Sequence, residues 1–126
     1  MSRKILIVDD EYSMLSMLKM IVEMREFTAV TAKNGREALD IVEKEQPDLI
    51  MLDLMMPVMD GFQVLEALKQ NDATKGIPVV IVSAQKDEKD INRAYNLGAA
   101  DYVVKGGHPR NYLDMIERHL LCAEQY

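Results

Sequence analysis

Ile5-Leu6-Ile7-Val8-Asp9-Asp10 decides the fold: an unbroken apolar run passes straight into two acids. Apolarity without alternation fits a strand covered on both faces, the habit of a parallel sheet. Working outward, residues 28–32, 48–52, 78–82 and 100–104 repeat the pattern, making five short runs with 5–8. The run at 28–32 is the least apolar, with Thr28 and Thr31, and reads as an edge strand. Pro78 opens its run, where a missing N–H is tolerated.

Between the runs, apolar residues recur at spacings of three and four, as on a helix with one buried face. Residues 13–25 carry Leu15, Leu18, Ile21 and Val22; residues 36–45 carry Ala38, Leu39, Ile41 and Val42 before Pro47 stops the helix. After the turn at Asp60-Gly61, residues 62–69 offer Phe62, Leu65 and Leu68. Residues 87–96 open on acids, are expected to bury Ile91, Ala94 and Tyr95, and end near Gly98, a good C-terminal cap. Residues 109–121 start on Pro109 and carry Leu113, Ile116 and Leu120. Strand and helix thus alternate five times, which predicts an α/β fold: a five-stranded parallel sheet with helices on both faces.

The chain has 126 residues, the size of one domain, so residues 1–126 are read as a single unit. Its formal charge of −6 argues against a face that binds DNA or RNA directly. The single Cys122 excludes an internal disulfide and fits a reducing compartment. No apolar run is long enough for a membrane span, and the one near the start is too short for a signal peptide. A cytoplasmic protein with no membrane partner is the expectation.

The polar residues fall where the runs end. Asp9 and Asp10 follow the first, Asp53 the third, Ser83 the fourth and Lys105 the fifth. In a parallel sheet these carboxyl ends share one edge, where open α/β folds place their ligands. Two carboxylates about 5 Å apart repel by roughly 3 kcal/mol at an effective dielectric of about 20, so a cluster of three needs a cation or a proton. Lys105 supplies one charge. Oxygen donors without His or Cys suit Mg²⁺ and make zinc a poor fit. A carboxylate beside such a metal can attack phosphorus, with a hydroxyl and an ammonium holding the phosphoryl oxygens.

Together these elements resemble the receiver domain of bacterial two-component response regulators, chemotaxis receivers included, over nearly the whole chain. The resemblance rests on Ile5-Leu6-Ile7-Val8-Asp9-Asp10-Glu11, Leu52-Asp53-Leu54-Met55-Met56-Pro57-Val58-Met59-Asp60-Gly61, Val82-Ser83-Ala84 and Gly98-Ala99-Ala100-Asp101-Tyr102-Val103-Val104-Lys105. It implies a flavodoxin-like, doubly wound sheet with strand order 2-1-3-4-5. Asp53 is similar to the family's phosphoacceptor, supplied by a histidine kinase, a phosphotransfer protein or a small phosphodonor. Asp9, Asp10, Asp53 and the backbone carbonyl of Met55 resemble its Mg²⁺ (or Mn²⁺) ligands, Asp9 partly through water. Ser83 and Lys105 match its switch hydroxyl and its lysine, and Tyr102 its switch aromatic. The resemblance further implies that on phosphorylation Ser83 would move toward the phosphoryl group and Tyr102 would turn inward. That would alter the surface of the fourth helix, fifth strand and fifth helix for a downstream protein effector or a homodimer. The domain is therefore expected to be a switch rather than an enzyme acting on a metabolite.

Two departures stand out. The family usually has proline after the lysine, whereas Lys105 precedes Gly106-Gly107-His108-Pro109, a looser loop. Met55 and Gln85 occupy positions that tune phosphoryl loss; the apolar Met55 predicts slow self-hydrolysis.

Taken singly, Asp9-Asp10 and Ser83 read as helix caps; a loop acid at Asp53, which would be costly at the end of a buried strand, a solvated Lys105 and a merely packed Tyr102 are the weaker readings. Met14, Met17, Met20 and Met24 read as core and surface padding along one helix. His108, His119 and Cys122 are given no metal or reactive role. A haloacid-dehalogenase-like phosphohydrolase wants Asp-x-Asp after the first strand and a cap domain. A flavodoxin-like flavin binder needs a Ser/Thr/Gly-rich phosphate loop where this chain has acids. With the closing helix reaching about 121, the reading is a stand-alone regulator.

Overall fold

The computed structural model describes residues 3–124, and side chains as far as residue 120. In chain order the elements are β1 (Lys4–Val8), α1 (Tyr12–Met24), β2 (Thr28–Ala32), α2 (Gly35–Glu45), β3 (Leu49–Leu52), α3 (Gly61–Gln70), β4 (Val79–Ser83), α4 (Glu88–Asn96), β5 (Asp101–Val104) and α5 (Pro109–Glu124). The five strands are parallel and ordered β2-β1-β3-β4-β5, as expected from the resemblance. Every residue of β3 and β4 is buried, as is all of β1 after Lys4, while β2 and β5 lie half-buried at the edges.

Alternation along each central strand divides the core in two. Leu6, Val8, Ile50, Leu52, Val79 and Ile81 meet Ala38, Val42, Val64, Leu65, Leu68 and Ala94 from α2, α3 and α4. Ile5, Ile7, Leu49, Met51, Val80 and Val82 meet Leu15, Leu18, Val22, Tyr112, Ile116 and Leu120 from α1 and α5. Each fully buried aliphatic side chain stabilises the fold by about 1.5–3 kcal/mol, so both faces must be covered. The unbroken apolar runs have that physical origin.

Two helix faces differ from expectation. In α4 only Ala94 is fully buried; Ile91 is half-buried and Tyr95 is 44% exposed. The helix lies over the half-buried margin of the sheet, and a narrow strip of contact leaves the next residue outside. In α5 Tyr112 and Met115 are buried with Ile116 and Leu120, and Leu113 is only half-buried, so the inward face is centred one residue earlier. Met14 and Met17 pack against the second cluster, while Met20 and Met24 are exposed. Cys122 lies outside the described side chains.

Local signals set the helix ends. Asn34 Oδ1 accepts the Glu37 N–H at 2.8 Å, and Asp60 and Gln63 form a reciprocal capping box. Gly98 adopts a positive φ of 109° after α4, as a C-terminal glycine does. Gly61 is required sterically: a Cβ there would stand 2.2 Å from the Asp53 carbonyl oxygen. That close approach seats α3 directly on the backbone carrying Asp53.

Candidate functional site

Backbone hydrogen bonds carry the ladder one residue past the strands and deliver the polar side chains. The Asp9 N–H donates to Ala32 O at 3.1 Å, Asp53 N–H to Val8 O at 3.0 Å, and Lys105 N–H to Ser83 O at 2.9 Å. Asp9, Asp53 and Ser83 are buried to 1%, 3% and 0% exposure, and Asp10 is exposed. One local device fixes all three buried side chains. Asp9 Oδ1 accepts the Glu11 N–H at 2.9 Å, Asp53 Oδ1 the Met55 N–H at 3.3 Å, and Ser83 Oγ the Gln85 N–H at 3.2 Å. Each side chain is thus held by the amide two residues on.

Lys105 closes the cluster. Its Nζ lies 2.8 Å from Asp9 Oδ2 and 3.3 Å from both Asp53 Oδ2 and Glu11 Oε1. Glu11 had no role in the sequence reading; its place as the third acid after β1 was the only signal. Burial, then the Asp9 charge, pushes the Asp53 carboxyl up to about 6, against the pull of Lys105 and the Met55 N–H. For Lys105, burial lowers the pKa, but the Asp9 hydrogen bond and the two aspartate charges outweigh it. The ammonium is therefore held above its ordinary value.

Asp9, Asp10 and Asp53 each offer an oxygen within 4.8 Å of the others. Three hard oxygen donors with one neighbouring ammonium leave net negative charge, which fits Mg²⁺ or Mn²⁺. Met55, whose N–H holds Asp53 Oδ1, is 56% exposed.

Tyr102 is half-buried, with its hydroxyl donating to the Gln85 carbonyl at 2.9 Å and its ring against the first core cluster. Beyond Lys105, Gly106 takes a φ of +96° and His108 Nδ1 accepts the Arg110 N–H at 3.0 Å, capping α5. His119 Nε2 lies 3.1 Å from Asp101 Oδ2, which also accepts from Arg118 at 2.8 Å. The two histidines thus have structural partners. Val58, in the loop before α3, is 91% exposed at a φ of +71°, a strained state for a β-branched residue.

A parallel sheet in this order, with buried acids and a lysine along its carboxyl edge, is an arrangement of the flavodoxin-like class. Residues 5–117 match the family model of the response regulator receiver domain. Among curated relatives, the alkaline phosphatase synthesis transcriptional regulatory protein PhoP of Bacillus subtilis (strain 168) is 40% identical over 110 residues, covering 87% of this chain and 45% of the relative. The DNA-binding response regulator MtrA of Mycolicibacterium paratuberculosis is 33% identical over 120 residues, covering 95% of this chain and 52% of the relative. The chain therefore spans about half the length of these relatives. The chemotaxis protein CheY4 of Vibrio cholerae superposes with a TM-score of 0.90 at 29% identity, covering 95% of this chain and all of that one. The chain belongs to the response regulator receiver domain family of two-component systems. Among the described residues, no helix is long and apolar enough to cross a membrane.

Proposed function

We propose that Asp53 takes the phosphoryl group from a histidine kinase, a phosphotransfer protein or a small phosphodonor. A carboxylate oxygen of Asp53 forms the new bond to phosphorus as the bond from phosphorus to the donor breaks, and the donor keeps that electron pair. The observation that carries this reading is the buried Asp53 carboxylate 3.3 Å from Lys105, at the end of β3. Lys105 and the Ser83 hydroxyl hold phosphoryl oxygens as charge develops on them. Asp9, Asp10, Asp53 and the Met55 carbonyl would hold Mg²⁺ or Mn²⁺, which neutralises charge between carboxylate and phosphoryl group.

Ser83 and Tyr102 then carry the signal to the face made by α4, β5 and α5, where a downstream protein binds or a second copy pairs. The domain, residues 1–126, catalyses only its own phosphorylation and dephosphorylation, in the cytoplasm. The names of PhoP and MtrA speak of transcription and DNA. In this chain the net charge of −6 supports output through protein contact.

Incubation with an acyl phosphate and Mg²⁺, followed by intact mass, tests the assignment. Wild type gains one phosphoryl group and Asp53→Asn gains none; equal labelling of both rejects it.

A further inference from the structure

Helix α4 is the most weakly anchored helix on its face of the sheet. Ala94 is its one fully buried residue, and Asp87 at its N-cap makes no side-chain cap bond. The Tyr95 hydroxyl reaches Asp101 Oδ1 only at 3.5 Å. An element with so few buried contacts sits at the low end of local stability, where a single contact changes its position.

That contact is made to α3. The guanidinium of Arg93 lies 4.0 Å from the centroid of the Phe62 ring. Phe62 is 8% exposed, so its ring is fixed by the core while one face meets the cation. It follows Gly61, whose N–H donates to Leu54 O at 2.9 Å and whose Cα leaves no room for a side chain against the Asp53 carbonyl. Phe62 also belongs to the cluster that contains Ala94 and Ala99 and against which Leu97 and Tyr102 pack. The residue is therefore tied to the Asp53 backbone on one side and to α4 on the other. Gln85, whose carbonyl accepts the Tyr102 hydroxyl, lies two residues before the α4 N-cap, so a shift of α4 moves that acceptor.

We propose that Arg93 is a positioning residue: its cation–π contact with Phe62 holds α4 where Gln85 can accept the Tyr102 hydroxyl. This gives Asp53 a path to the α4 face through Gly61 and Phe62, separate from the one through Ser83. The proposal rests on Asp53 as phosphoacceptor, but it is tested without phosphorylation. Arg93 is exposed, so replacing it leaves the core intact.

The experiment combines amide hydrogen exchange with ¹⁹F NMR of fluorotyrosine-labelled protein, the Tyr102 resonance being assigned through Tyr102→Phe. In Arg93→Ala, α4 amides exchange roughly two- to fivefold faster, α1 amides are unchanged, and the Tyr102 resonance moves. Arg93→Lys, which keeps the cation, lies nearer wild type. Phe62→Leu keeps the apolar contact, loses the π face and reproduces the Arg93→Ala result; the double variant adds nothing further. Unchanged α4 exchange and an unmoved Tyr102 resonance in Arg93→Ala overturn the proposal, as does full additivity with Phe62→Leu. Labelling of Asp53→Asn by an acyl phosphate overturns the phosphoacceptor reading alone, so the two failures are distinguishable.

Discussion

The ammonium of Lys105 stands 2.8 Å from Asp9 Oδ2, closer than to Asp53 at 3.3 Å. It thus bridges two buried carboxylates, and in the absence of a divalent cation it is the charge that keeps them together.

Lys105→Ala leaves Asp9 and Asp53 buried without their cation, a change that costs about 3 kcal/mol in such settings. Urea unfolding at neutral pH without divalent metal is expected to show a loss of that order. Added Mg²⁺ then stabilises the variant more than wild type, because a competing charge has gone. Equal stability of the two proteins in metal-free buffer would count against this reading of the pocket.

The sheet and its edge were legible in the sequence because burial on both faces demands unbroken apolar runs, and these runs end in Asp9, Asp53, Ser83 or Lys105. Only the second run, 28–32, lacks such a residue, and parallel pairing brings the other four ends together whatever the loops do. What was illegible depends on tertiary contact. The face of α5 is set by how Tyr112 and Met115 fill the space beside Val80 and Val82, and spacing alone favoured Leu113. The spacing of Ile91, Ala94 and Tyr95 points Tyr95 inward, whereas in α4 only Ala94 is fully buried and Tyr95 stays 44% exposed. Neither the Gln85 carbonyl that receives Tyr102 nor the guanidinium over Phe62 leaves a trace in a local pattern.

The raised Asp53 pKa fixes the sign of a pH effect. Its folded value, about 6, lies above the ordinary 3.8, so between these values the folded chain keeps a proton that the unfolded chain has lost. Asp53 therefore reduces stability progressively as pH rises through this window, by about 3 kcal/mol once fully ionised. Metal-free Asp53→Asn escapes that penalty and is expected to be the more stable protein at pH 7.5. The difference shrinks as pH falls toward 4. Thermal unfolding across that range is the check; a difference independent of pH contradicts it.

Met55 is an exposed apolar residue whose own N–H holds Asp53 Oδ1. An apolar side chain at this position offers attacking water no hydrogen-bonding group. Met55→Asn supplies an amide at that point, and loss of the phosphoryl group is expected to quicken on the order of tenfold. Decay of the phosphorylated mass after removal of the donor measures this directly. A variant that loses phosphate no faster than wild type removes Met55 as the shield.

The central claim, that Asp53 carries the phosphoryl group, is tested most directly by chemical trapping. Wild type is phosphorylated with an acyl phosphate and Mg²⁺, reduced with borohydride, and sequenced by peptide mass spectrometry. Borohydride converts an aspartyl phosphate to homoserine and leaves a free carboxylate intact. The account predicts homoserine at position 53 and at neither 9 nor 10. Homoserine at Asp9 or Asp10, or an unreduced Asp53 in protein that has gained a phosphoryl group, would contradict it.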